Sequence, residues 1–185
     1  EVHRILPIML QTATLILARF PEARFLLSES PTVVPLIYTE FLHHLPLAHI
    51  RHRTRDVLTL CDAAMVASGT ATLEAALSGI PFVIVYKASW STAFLAKRLI
   101  TLPYIGMVNV LAERKIVPEF LQEEAKPERI ASSVITLLED STQQQVMRED
   151  LRQVTRQLGT PGASERAAAS IWKLISGRRE GLRVA

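Results

Sequence analysis

The residues whose types and order best suit chemistry run Ala67-Ser68-Gly69-Thr70-Ala71-Thr72-Leu73-Glu74-Ala75-Ala76. An apolar run ends at Ala67, Ser68 can cap the helix that follows, and Gly69 lets a ligand approach the backbone where that helix begins. Free N–H groups and the positive end of the helix dipole favour a phosphate there. Thr70 and Glu74 stand four apart and share one face, while Leu73, Ala76 and Leu77 face the sheet. A carboxylate one turn beyond a pyrophosphate is placed to accept hydrogen bonds from ribose hydroxyls. A helix cap beside a surface Glu accounts for the same residues without a ligand, and fold alone does not choose between the two.

A second candidate is the segment Gly106–Lys115, which has the character of a loop. Asn109 lies there between apolar residues, and a buried amide needs partners, either backbone groups or a ligand. Lys87 follows the most apolar run in the chain, at the end of a strand where open α/β sheets bind ligands. The next helix, Ser89–Ile100, sets Trp90, Phe94 and Leu95 beside Lys97 and Arg98. With Leu102, Pro103 and Tyr104 it could dock on an anionic membrane, although a core-facing helix with a basic end fits better. His49, His52 and Asp56 match no defined zinc or facial-triad spacing, so no metal is expected. Cys61 has no cysteine partner and suits a buried thiol in a reducing compartment. There is no P-loop and no G-x-S-x-G elbow.

The elements that must carry these residues follow from apolar periodicity. Ile5, Ile8, Met9, Thr12, Leu15 and Ile16 predict a helix over 2–19, stopped by Pro21. Short strands are expected at 24–28, 47–50, 63–67 and 81–86. Helices are expected at 35–43, 54–60, 69–78 and 89–100, and a weaker strand at 104–106. Pro81–Tyr86 lacks alternation, which implies burial on both faces of a parallel sheet. This order predicts an α/β fold, a Rossmann-like doubly wound parallel sheet with helices on both faces. The remainder reads as helical. One helix starts at Pro127, another is opened by a Ser141/Gln144 capping box and closed by Gly159 and Pro161, and an Ala-rich helix ends near Ser176. One domain is expected over 1–176, with a basic tail over 177–185.

The chain has 185 residues, 49% of them hydrophobic and 21% charged, which excludes a disordered tail, a collagen-like fibre and a disulfide scaffold. Its formal charge of +3 is spread along the chain instead of gathered on one arm, which argues against nucleic acid as a partner. No apolar run is long enough for a transmembrane helix, and no signal peptide is apparent.

The blocks Ser68-Gly69-Thr70-Ala71-Thr72-Leu73-Glu74-Ala75-Ala76, Gly79-Ile80-Pro81 and Val85-Tyr86 resemble the donor-nucleotide signature of the lipid-A-disaccharide synthases. The likeness continues through Leu95–Leu99, Pro103-Tyr104-Ile105, Asn109-Val110-Leu111-Ala112 and Val117–Glu123. The order of several blocks over residues 62–125 makes it far more specific than the Ser-Gly-Thr alone. It implies the C-terminal half of a GT-B fold, the half that holds UDP in a two-domain inverting glycosyltransferase. By this resemblance Ser68, Gly69 and Thr70 approach the diphosphate, Glu74 the ribose and Asn109 the donor phosphate region. Gln122 and Glu123 are further donor-site residues, with Lys87 and Arg114 as secondary ones.

The implied donor is UDP-2,3-diacylglucosamine. The implied acceptor, 2,3-diacylglucosamine 1-phosphate, would be bound mainly by an N-terminal half outside this sequence. No metal or other cofactor is implied. A Gly-Ser-Arg loop before residue 1, the general base, a cytoplasmic location at the inner membrane and a homodimer all belong to the same expectation. The sequence departs from the family at Val108-Asn109, where Pro-Asn is usual, and at Ala112-Glu113-Arg114-Lys115, where Ala-Gly-Arg-Glu is usual. Another UDP-sugar GT-B enzyme, a UDP-N-acetylglucosamine epimerase-like domain and a non-catalytic α/β interaction module remain as alternatives.

Overall fold

The computed structural model describes residues 2–30, 33–39, 41, 47–51, 53–88, 103–160 and 162–181. Helix α1 (Val2–Arg19) buries Ile5, Leu6, Thr12, Ala13 and Ile16 along one stripe, as a helical period requires. Strand β1 (Phe25–Glu29), the short helix α2 (Leu36–Thr39), strand β2 (Leu47–Arg51) and helix α3 (Thr54–Thr59) follow. β1 and β2 pair in parallel, Phe25 opposite Leu47.

A second parallel sheet carries the strands nearest the candidate residues. It contains β3 (Ala64–Ala67), β4 (Phe82–Tyr86) and β5 (Glu119–Leu121), in the order β3-β4-β5. Helix α4 (Ala71–Ser78) connects β3 to β4, and helix α5 (Met107–Ala112) precedes β5. Phe82, Val83, Ile84 and Val85 are all 0% exposed. Since successive side chains of a strand point to opposite faces, both faces of β4 are covered. Burial of each of these side chains contributes about 1.5–3 kcal/mol over exposure, which makes β4 the centre of the core.

A 3-10 turn (Gln122–Glu124) leads from β5 to α6 (Pro127–Glu139), whose Pro at the first helical position needs no hydrogen-bond partner. α6 packs against β4 and along α1. Helix α7 (Ser141–Gln157) buries Met147, Leu151 and Val154, and α8 (Ala163–Gly181) closes the described chain. The chain divides into two compact units, 1–155 and 156–185. The first holds every described strand, and the second holds α8.

The parallel α/β architecture is as expected from the order of apolar runs. Five local expectations are corrected. Residues 104–106 form no strand; they lead into α5, with Gly106 at its N-cap. The expected loop 106–115 is helical through Ala112, and the region expected to be wholly helical contains β5. Ser141 and Gln144 make no capping box. Asp140 accepts the Thr142 and Gln143 N–H groups at 2.9 and 3.0 Å, while Gln144 Nε2 donates to the Leu137 carbonyl. Finally, α4 buries Thr72, Ala75 and Ala76, whereas Leu77 is 56% exposed, so the sheet-facing stripe is rotated from Leu73, Ala76 and Leu77. The expected helix 89–100 lies outside the described residues. So do residues 40 and 42–46, which include part of the expected helix 35–43 together with His43 and His44, and so does His52.

Candidate functional site

Parallel pairing places the ends of β3, β4 and β5 on one edge. Ala67 is opposite Val85, and Tyr86 is opposite Leu121. Ser68-Gly69-Thr70, Lys87 and Gln122-Glu123 therefore leave the sheet side by side, at the strand ends where open α/β sheets take ligands.

The turn from β3 into α4 is built for backbone exposure. The Ser68 N–H continues the ladder by donating to the Val85 carbonyl at 3.1 Å. Gly69 adopts φ +146° with open space around it, a conformation that side-chain-bearing residues rarely adopt. The expected Ser68 cap does not form: Thr70 is the N-cap and makes no side-chain cap bond. Thr72 Oγ1 donates instead to the Gly69 carbonyl at 2.7 Å, pinning the turn from inside. Among the described residues, the N–H groups of Gly69, Thr70 and Ala71 meet no acceptor. Gly69, Thr70 and Glu74 are exposed, and Glu74 lies in the first turn of α4.

Gln122 has φ +50°, a left-handed conformation unfavourable for a residue with a side chain. It is half-buried, Glu123 is exposed and Lys87 is half-buried. These residues share the edge with the Ser68–Thr70 turn.

Asn109 and Arg114 sit elsewhere. Asn109 is 0% exposed. Its Nδ2 donates to the Val117 carbonyl at 2.8 Å and to Glu119 Oε1 at 2.7 Å. Its Oδ1 accepts the Ile116 and Val117 N–H groups, both at 2.9 Å. Arg114 forms a two-pronged pair with Asp150 of α7, at 3.0 Å for its Nη1. That pair holds the guanidinium protonated above its ordinary range, the hydrogen bond being the main cause. In α7, Met147 Sδ accepts the N–H of Phe82, the first residue of β4, so this helix lies toward the strand starts, away from the Ser68–Thr70 edge.

Sequence reasoning passed over Glu119. It is 7% exposed, and its carboxylate accepts from Ile105 N–H at 3.0 Å and Gly106 N–H at 2.9 Å as well as from Asn109. The available signal was a lone acidic residue inside the apolar run Val117–Leu121.

Other features carry less. Cys61 donates its S–H to the Val57 carbonyl, and partial burial, then Asp62, raises its pKa, which disfavours a reactive thiolate. Among the described residues no cluster of three or more His, Cys, Asp or Glu could hold a metal ion. No described helix is long and apolar enough to cross a membrane. A recess of about 430 Å³ lined by Phe120, Glu128, Arg129, Ser132 and Ser133 includes none of the candidate residues.

Comparison with known proteins adds an independent line. The family profile described as lipid-A-disaccharide synthetase matches residues 1–173. A lipid-A-disaccharide synthase of Anaeromyxobacter dehalogenans is 40% identical over 174 residues, covering 92% of this chain and 45% of that protein. Those of Geobacter metallireducens and Nitrosococcus oceani are 36% and 35% identical, covering 97% and 98% of this chain and 47% of each relative. The chain thus spans about half the length of the curated relatives it matches.

Proposed function

The chain belongs to the lipid-A-disaccharide synthetase family, and from that premise we propose that it is the donor-binding half of such a glycosyltransferase. It would hold the UDP of UDP-2,3-diacylglucosamine while the sugar passes to 2,3-diacylglucosamine 1-phosphate in lipid A biosynthesis. The acceptor 6-hydroxyl attacks the anomeric carbon, that carbon inverts, and UDP leaves.

The observation that carries this reading is the row of N–H groups at Gly69, Thr70 and Ala71, unpartnered among the described residues, at the strand-end edge of a parallel sheet. A departing diphosphate gains negative charge, and fixed N–H dipoles aimed at it stabilise that charge without reorganising. Glu74, exposed one turn into α4, is placed to accept ribose hydroxyls. Gln122, Glu123 and Lys87 border the same edge and supply further polar contacts to the donor. The acceptor site and the general base belong to the other half of the enzyme.

A ligand that binds only the folded chain raises its melting temperature. UDP at about one hundred times its Kd should stabilise this chain by about 2.7 kcal/mol, and Glu74→Ala should reduce the shift. The absence of any UDP-dependent shift at millimolar concentration overturns the reading.

A further inference from the structure

The Glu119 carboxylate is buried, and no described Lys, Arg or His pairs with it. Burying a carboxylate is costly unless hydrogen bonds replace its water. Here three donors converge on two oxygens: the N–H groups of Ile105 and Gly106, and Asn109 Nδ2. Only an acceptor-only group satisfies all three, because a neutral amide would turn an N–H against one of them. Gly106 is held so closely that a Cβ there would run into Ile84 Cδ1 and lie 2.9 Å from Glu119 Oε1.

This clamp joins two segments that lead to the ligand edge. The Ile105–Gly106 turn starts α5, which packs against α4, the helix preceded by the turn where the Gly69, Thr70 and Ala71 N–H groups meet no acceptor among the described residues. Glu119 itself lies opposite Ile84 in β5, and that strand runs through Leu121 into the left-handed Gln122.

We infer that Glu119 is a positioning residue for the donor site, acting through the Ile105–Gly106 turn and α5 on one side and through β5 to Gln122 on the other. The inference rests on the nucleotide reading of that edge. Glu119 touches no ligand; it fixes the spacing between α4 and the end of β5.

The test uses the whole 185-residue chain with UDP as the probe. Glu119→Gln should keep its far-UV circular dichroism and weaken UDP binding about tenfold by calorimetry. Leu151→Ala, a core change in α7, should lower the melting temperature while leaving the UDP Kd within about twofold, because it lies outside the coupled segments. Unchanged affinity in Glu119→Gln, or equal losses in both variants, overturns the inference.

Should Glu119→Gln fail to fold, hydrogen exchange in the unsubstituted chain decides. Coupling is reciprocal, so saturating UDP must slow exchange at Ile105 and Gly106 by about tenfold more than at core amides of α7. Protection confined to Gly69–Ala71 overturns the inference alone. No response at Gly69–Ala71 overturns the nucleotide reading and the inference with it.

Discussion

A buried side-chain amide is tolerated when both its N–H groups and its carbonyl oxygen are occupied, and Asn109 meets that condition with partners from Ile116, Val117 and Glu119. Removing it leaves two buried N–H groups, a carbonyl and a carboxylate oxygen short of a partner, at about 1–3 kcal/mol for each group left unsatisfied. Asn109→Ala is therefore expected to lower the unfolding free energy by at least about 3 kcal/mol in urea titrations. A loss below about 1 kcal/mol would mean that water or shifted backbone replaces the amide. With every hydrogen-bonding position filled, Asn109 offers no spare donor to a phosphate in this conformation. That a buried Asn needs partners was legible from its apolar neighbours. Which partners was not, because Glu119 lies ten residues on and meets it only once β5 is laid beside β4.

Elements were legible in proportion to their length and periodicity. β4 stood out because an unbroken apolar run has few other fates, and α1, α6 and α7 because their buried stripes repeat over several turns. The six-residue α5 and the three-residue β5 are too short for a period to show, and β5 begins with a glutamate. Their existence is decided by tertiary contacts, the Asn109–Glu119 clamp above all. The boundary between α6 and α7 is a second case. Ser141 and Gln144 have the right types and spacing for a capping box, yet Asp140 sits one residue earlier and takes the exposed N–H groups with a charged oxygen. A carboxylate at a helix start also gains from the dipole. Asp140→Ala should accordingly cost about 0.5–2 kcal/mol in thermal or urea unfolding. Ser141→Ala should stay within about 0.5 kcal/mol of the parent, as a surface change away from any cap does. The reverse order would restore the capping box.

At the scale of the whole molecule, the parallel sheet collects residues far apart in sequence, and the collection is uneven across the proposed roles. Ser68, Gly69 and Thr70 come to the same edge as Lys87, Gln122 and Glu123, which puts backbone N–H groups and a cation suited to a diphosphate beside a carboxylate that can only accept hydrogen bonds. Arg114 is drawn instead to Asp150 near the strand starts. Groups that the proposal assigns to the sugar nucleotide are thus gathered on one edge, while deprotonating an acceptor hydroxyl requires a base held within hydrogen-bond reach of a bound acceptor. The chain also covers 45–47% of the length of its relatives, so the proposal divides labour between two halves. Incubated with UDP-2,3-diacylglucosamine and 2,3-diacylglucosamine 1-phosphate, this chain should bind UDP and yield no disaccharide detectable by mass spectrometry. If backbone N–H groups hold the diphosphate without a cation, as the proposal has it, chelation with EDTA should leave the UDP-dependent melting shift unchanged. Disaccharide formed by this chain alone would place the base and the acceptor site within these 185 residues. It would also turn the search for the base to the ionisable groups of the shared edge, Glu74, Lys87 and Glu123.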